Sequence, residues 1–351
     1  MIKYLGSKRR LIPQIVELIG SLVPPPATIL DLFSGTSRVG HALKRLGYRV
    51  LANDHNAYAH TLGMCYVQAD APDVLDDVAK LLPELNALPG APGYFTKTYC
   101  ERSRYIHPRN GERIDAIRER IEQLALEPEL RAVILTSLLE AADRVDSTTG
   151  VQMAYLKDWA PRATNTLRLR PPDVLPRAAS GKGEAWRLDA LDAARADTPI
   201  DLVYLDPPYN QHSYLGNYHV WESLVLWDKP EVYGVACKRS DVRERKSPFN
   251  RRESARDALI AVFGAIRAPR VVLSFNDDGF LSRDEAASIL AERFTPTSCL
   301  CVEQPRYVGA RIGIYSPRGE KVGTPGRLRN TEHLFAGLAQ SSRSDCVMLT
   351  S

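Results

Sequence analysis

Apolar residues near the start of the chain recur every three or four positions. Leu11, Ile15, Leu18, Ile19 and Leu22 share one face, which predicts an amphipathic helix over residues 9–22. The pattern then shortens. TILDLF (28–33) reads as a buried strand, Gly35 as a turn, residues 38–46 as a helix with Gly47 as its C-cap, and YRVLAND (48–54) as a second strand. A strand–helix–strand opening of this kind predicts an α/β fold with a doubly wound, Rossmann-like sheet. From about 60 to 146 the period turns helical, with Ile114, Ile117, Ile121 and Leu124 on one stripe and Leu130, Ile134, Leu138 and Val145 on another. Residues 161–184, rich in Pro, Arg and Gly, read as loop. Strand patterns return in AWRLDAL (185–191), IDLVYLD (200–206) and PRVVLSFND (269–277). The expected organisation is an α/β domain made of 1–59 and 185–351, interrupted by a mainly helical insertion, 60–184.

Composition narrows the setting. A hydrophobic share of 44% with 25% charged residues fits a globular chain that buries a core. No run of eighteen apolar residues is present, so no membrane span is expected. The N-terminus begins basic and then apolar, but Pro13, Gln14 and Glu17 interrupt the run and no small-x-small site follows, which argues against a secretion signal. The six cysteines include no C-x-x-C pair, so neither a disulfide framework nor a zinc site is expected, and a reducing cytoplasm is the expected location.

Chemistry concentrates in LVYLDPPYNQHSY (202–214). An apolar strand ends on Asp206 and meets two prolines, which cannot extend a ladder and which stiffen the residues before them. A carboxylate and the Pro207 carbonyl could together accept both hydrogens of an exocyclic amino group, and Tyr209 offers a face on which a base could stack. The turn DLFSGTSRVG (31–40) has neither the lysine of a phosphate-binding loop nor the three glycines of a dinucleotide fingerprint. A cofactor without a phosphate chain needs neither, and Asp31 could meet its ammonium. Asp54 could accept two ribose hydroxyls or cap a helix; Asp189, at the end of the next strand pattern, is open to the same two readings.

KYLGSKRRL, DLFSGTSRVG, Asp54 and DPPY, in that order, resemble the D12 class of N6-adenine DNA methyltransferases. So do YNQHSYLGNYHVWESL, AYLKDW, LSFNDDGFL and NTEHLF, which extends the resemblance over nearly the whole chain. It implies S-adenosylmethionine as cofactor, with Tyr4, Gly6, Ser7 and Lys8 at its methionine end and Lys8 near the carboxylate. Asp31, Phe33, Ser34 and Gly35 would line the methionine and ribose, Asp54 would hold the ribose hydroxyls, and Asp189 the adenine amino group. Asp206, Pro207, Pro208 and Tyr209 would grip a target adenine turned out of double-stranded DNA. Asn210 and Tyr214 would face the DNA, and a restriction endonuclease is an expected partner. In other members the DNA-reading segment follows the acid matched by Asp189. Here only sixteen residues separate Asp189 from Asp206, so the insertion 60–184 is the candidate DNA-contacting region.

Two basic stretches fit the same role. Residues 237–256 carry Lys238, Arg239, Arg243, Arg245, Lys246, Arg251, Arg252 and Arg256 against Asp241, Glu244 and Glu253, eight minus three, a net of +5. Residues 305–329 add Arg306 and five further cations against Glu320. Attack on cytosine C5 is excluded, because that chemistry needs a cysteine after a proline and none of the six has one. Transfer to cytosine N4, to guanine N2 in RNA or to a protein glutamine stays open, as does a non-catalytic DNA-binding module.

Overall fold

The computed structural model describes residues 1–305, 314–315, 321–323 and 329–340. Its main sheet holds β1 (Thr28–Asp31), β2 (Arg49–Asn53), β3 (Glu184–Trp186), β4 (Leu202–Leu205), β5 (Arg270–Asn276), β6 (Phe294–Pro305) and β7 (Arg329–Ala339). They pair in the order β3-β2-β1-β4-β5-β7-β6. The first five run parallel, and β7 enters antiparallel between β5 and β6.

Alternation along each strand sends successive side chains to opposite faces. Ile29, Val50, Leu202 and Tyr204 meet the apolar faces of α1 (Ile12–Leu22) and α2 (Arg38–Arg45). Between β2 and β3 run α3 (Ala57–Gly63), α4 (Ala71–Ala87), α5 (Pro108–Gln123) and α6 (Pro128–Arg144). α6 is buried nearly all round, at Val133, Ile134, Leu135, Leu138, Leu139 and Ala142, so the stripe expected from its sequence understates its burial. These helices share a core with Tyr218 and with Trp221 and Leu224 of a later helix, His219–Leu226. Leu30, Leu51, Val203 and Leu205 face the other side, against Ala193, Leu259, Phe263 and Ile289 from three helices after β3. The sheet is thus covered on both faces, as a parallel sheet requires, and the doubly wound α/β expectation holds.

Element ends differ from the sequence pattern for local reasons. The first helix begins at Ile12 with Pro13 in its first turn, and Lys8–Arg10 form a separate 3-10 turn. β1 stops at Asp31, although Leu32 still donates to the Tyr204 carbonyl (3.0 Å) before the chain turns. β3 ends at Trp186, and the Leu188 N–H is taken by the Asn53 side chain at 3.1 Å. Among the described residues, no helix is long and apolar enough to cross a membrane.

Candidate active site

The parallel strands point their C-terminal ends to one edge, where the strand order reverses between β1 and β4. Open α/β sheets take their ligands in that crevice. Asp31 ends β1, Asp54 and Asp206 directly follow β2 and β4, and Asp189 lies just beyond β3. One pocket there is lined by Tyr4, Gly6, Ser7, Lys8, Asp31, Phe33, Ser34, Gly35, Asp54, Asp189, Asp206, Pro208 and Tyr214.

Asp31 is 1% exposed, and neither of its carboxylate oxygens has a hydrogen-bond partner of normal geometry. Burial, together with the charge of Asp206, pushes its carboxyl up to about 8. The Gly40 backbone amide offsets only part of this, and a buried acid so poorly paired is costly until an incoming cation relieves it. Asp54 is better served: it accepts from the Gly35 N–H at 3.1 Å and from the Asn56 backbone and side chain at 2.9 and 3.1 Å. Gly35 has φ +51°, and a Cβ there would come 3.2 Å from the Tyr4 ring. Asp189 accepts from the Leu191 N–H at 2.9 Å, so it caps the helix Ala190–Ala194 while also lining the pocket.

Around Asp206 the charges are already paired. Lys8 Nζ lies 2.9 Å from Asp206 Oδ1 and 2.5 Å from Glu332 Oε1. The resemblance placed Lys8 at a cofactor carboxylate; its ammonium instead sits between two carboxylates of the protein. Glu332 comes from β7, opposite Asn276, and also accepts from Ser274 Oγ (2.7 Å) and Asn276 Nδ2 (2.9 Å). Burial alone would lower Lys8, but Asp206 and Glu332 outweigh it and hold the ammonium above its ordinary range. Burial raises Asp206 to about 6, with Lys8 pulling down and Glu332 pushing up. In the sequence Glu332 stands only as part of the NTEHLF resemblance, with no role attached, because its partner Lys8 lies 324 positions away.

Aromatic rings build the remaining walls. Tyr4 stacks between Tyr214 (5.2 Å) and Tyr218 (4.6 Å), and its hydroxyl meets that of Tyr58 at 3.1 Å. Gly6, φ +71°, lies so close that a Cβ would meet the Tyr214 hydroxyl at 2.9 Å. Tyr214, expected at the DNA, is therefore part of the pocket wall. Pro207 and Tyr209 line an adjoining apolar cleft with Phe249 and Phe275, and the Phe280 N–H holds the Tyr209 carbonyl at 2.7 Å.

The basic stretch divides. Arg239 is 3% exposed and bidentate to Asp228 (2.8 and 2.7 Å), with Asp241 at 3.1 Å, so the expectation that it meets DNA is corrected: its charge is spent inside the fold. Arg245 is likewise held, by the fully buried Glu222 at 3.0 Å and by Asp241 at 3.3 Å. Lys238 is half-buried against the Met153 sulfur. Asn210 accepts from the His212 N–H at 3.1 Å, closing its own turn. Lys246, Arg251 and Arg252 are exposed, beside the pocket residues Ser247, Phe249 and Asn250, which carried no signal in the sequence. Arg306 lies outside the described residues.

Named proteins of similar sequence are methylases. The chain is 30% identical over 321 residues to the type II methyltransferase M.FokI of Planomicrobium okeanokoites and 27% identical over 305 residues to the modification methylase StsI of Streptococcus sanguinis. The aligned parts are 86% and 83% of this chain, but the chain spans only about half of each, 49% and 46%. With the type II methyltransferase M.NlaIII of Neisseria lactamica it shares 29% identity over 87% of this chain and 92% of that one. Residues 4–273 match the model of one family, from Tyr4 through the Asp206–Tyr209 turn to β5. By that match the chain belongs to the D12 class of N6 adenine-specific DNA methyltransferases.

Proposed function

We propose that this protein moves a methyl group from S-adenosylmethionine to adenine N6 in double-stranded DNA, on a base turned out of the helix. The single observation behind this reading is the stiff Asp206–Tyr209 turn at the end of β4, beside a pocket floored by an unpartnered buried acid. The residues present fit the cofactor: Asp31 suits an ammonium, Asp54 and Asp189 a ribose and an adenine amino group. Bound S-adenosylmethionine supplies a methyl group on a positively charged sulfur.

In this mechanism the target amino group takes the place of Lys8 at Asp206. Glu332, anchored by Ser274 and Asn276, keeps the displaced ammonium neutralised. Asp206 and the Pro207 carbonyl then accept the two N–H groups, so the nitrogen lone pair is free to react. Asp206 stabilises the positive charge that develops on that nitrogen, more in the transition state than before it. A modification role, with a restriction endonuclease of the same recognition sequence as partner, follows from this reading. So does assignment of DNA reading to the insertion 60–184 together with Lys246, Arg251 and Arg252.

Asp206→Ala should cost about 3–4 kcal/mol of transition-state stabilisation, two to three orders of magnitude in single-turnover rate. Its melting temperature and cofactor affinity should stay near wild type, and Asp206→Asn should keep part of the rate. Nucleoside mass spectrometry of methylated DNA should find N6-methyladenine; N4-methylcytosine as product would transfer the same geometry to the other base. A stable, fully active Asp206→Ala protein would end the methyltransferase reading.

A further inference from the structure

Behind the pocket, on the opposite face of β7 from Glu332, three metal-binding side chains converge. Cys299 and Cys301 project from β6 two residues apart, and His333 lies opposite Cys301 in the antiparallel register. The Cys301 sulfur is 3.3 Å from His333 Nδ1, and the two sulfurs and an imidazole nitrogen all lie within 4.8 Å of one another. His333 Nε2 sits 2.6 Å from Asp277 Oδ1. That contact assigns the ring proton to Nε2 and turns the Nδ1 lone pair toward the sulfurs, the arrangement of a metal-ligating histidine backed by a carboxylate.

We propose that Cys299, Cys301 and His333 bind a zinc-type divalent ion, with Asp277 orienting the imidazole and water completing the tetrahedron. The chemistry of the donors sets the class: two thiolates and an imidazole suit zinc or cobalt and not magnesium or calcium. Bonds of ~2.3 Å to sulfur and ~2.0 Å to nitrogen put neighbouring ligands of a tetrahedron about 3.5 Å apart, which the 3.3 Å between the Cys301 sulfur and His333 Nδ1 approaches. Entry is open, because both cysteines are exposed while His333 is buried. No C-x-x-C announces the site. Strand pairing supplies the third ligand 32 positions away.

The ion would join β6 to β7 one residue from Glu332, outside the pocket and outside the chemistry. The test needs no activity assay. Reduced full-length protein, purified without chelators, should carry about one zinc per chain by elemental mass spectrometry. Titration of the metal-free form with cobalt alone should produce a thiolate-to-cobalt charge-transfer band. Cys299→Ser with Cys301→Ser should abolish the band, with circular dichroism confirming the fold. Asp277→Asn should keep the band but weaken affinity about tenfold to a hundredfold. Reduced wild-type protein that takes up no cobalt, or a double-serine variant that takes up as much as wild type, overturns the proposal.

Discussion

Asp31 and Asp206 end neighbouring strands of one sheet, both line one pocket, and their surroundings are opposite. Neither Asp31 oxygen has a hydrogen-bond partner of normal geometry, the Gly40 backbone amide pulls only weakly the other way, and the carboxyl is pushed up to about 8. Asp206 already holds an ammonium, which Glu332 shares. One acid lacks a cation; the other has one that must be displaced. The comparison teaches that a buried carboxylate at a strand end is not one kind of site. What sets its use is whether the fold supplies the counter-charge or leaves it to a ligand.

The largest expected effect tests the supplied counter-charge. Lys8→Met leaves Asp206 and Glu332 facing each other without a cation, which should cost about 3–5 kcal/mol in denaturant unfolding. Adding Glu332→Gln should restore much of that loss, and a double-mutant cycle without coupling would separate the two residues. Glu332→Gln alone should move the acid limb of the pH–rate profile, set by Asp206 near 6, to lower pH, because one of the charges holding Asp206 up is gone.

Next comes the cofactor side. Asp54→Ala removes a charge-assisted acceptor and should weaken S-adenosylmethionine binding by about tenfold to a hundredfold, or ~1.5–3 kcal/mol, in calorimetry. Unchanged affinity would take Asp54 out of the site.

The unpartnered acid makes a pH-dependent claim. Asp31 keeps its proton up to about 8, and a bound cation requires the ionised form. Cofactor affinity should therefore rise with pH, by up to about tenfold per unit below 8, and level off above it, with a proton released on binding. The sign for the ligand-free fold is the reverse. The folded state retains a proton that the unfolded chain has lost, so stability should fall as pH climbs from about 4 to about 8. In Asp31→Asn both slopes should flatten; a wild-type protein with flat slopes refutes the assignment.

The smallest effect concerns the exposed cations. Arg251→Gln with Arg252→Gln should flatten the salt dependence of DNA binding by roughly two units of slope. Arg239→Gln should instead lower stability, because its partners are Asp228 and Asp241. The reverse pattern would reinstate Arg239 as a DNA contact.

How far the sequence could be read follows from the range of each interaction. The placement of Asp31, Asp54 and Asp206 at strand ends lining one pocket was legible because an acid ending an apolar run is locally anomalous, and the sheet's opening because its periodicity is local. Arg239 was misread for want of its bidentate partner, since Asp228 lies outside the basic stretch. Glu332 was invisible as a site residue: in a strand of mixed polarity an acid looks like solvent face until Lys8 is placed against it. The same holds for Cys299, Cys301 and His333, whose convergence depends on register.

The late position of β7 bears on synthesis. Glu332 reaches Lys8 only when β7 has inserted between β5 and β6. A ribosome that has made every other residue of the pocket still holds a chain whose Lys8 has one carboxylate instead of two, and whose sheet has a gap. Nascent or prematurely terminated chains thus lack the finished charge cluster, so Lys8 and Asp206 reach their final pairing only when the last strand of the sheet is in place.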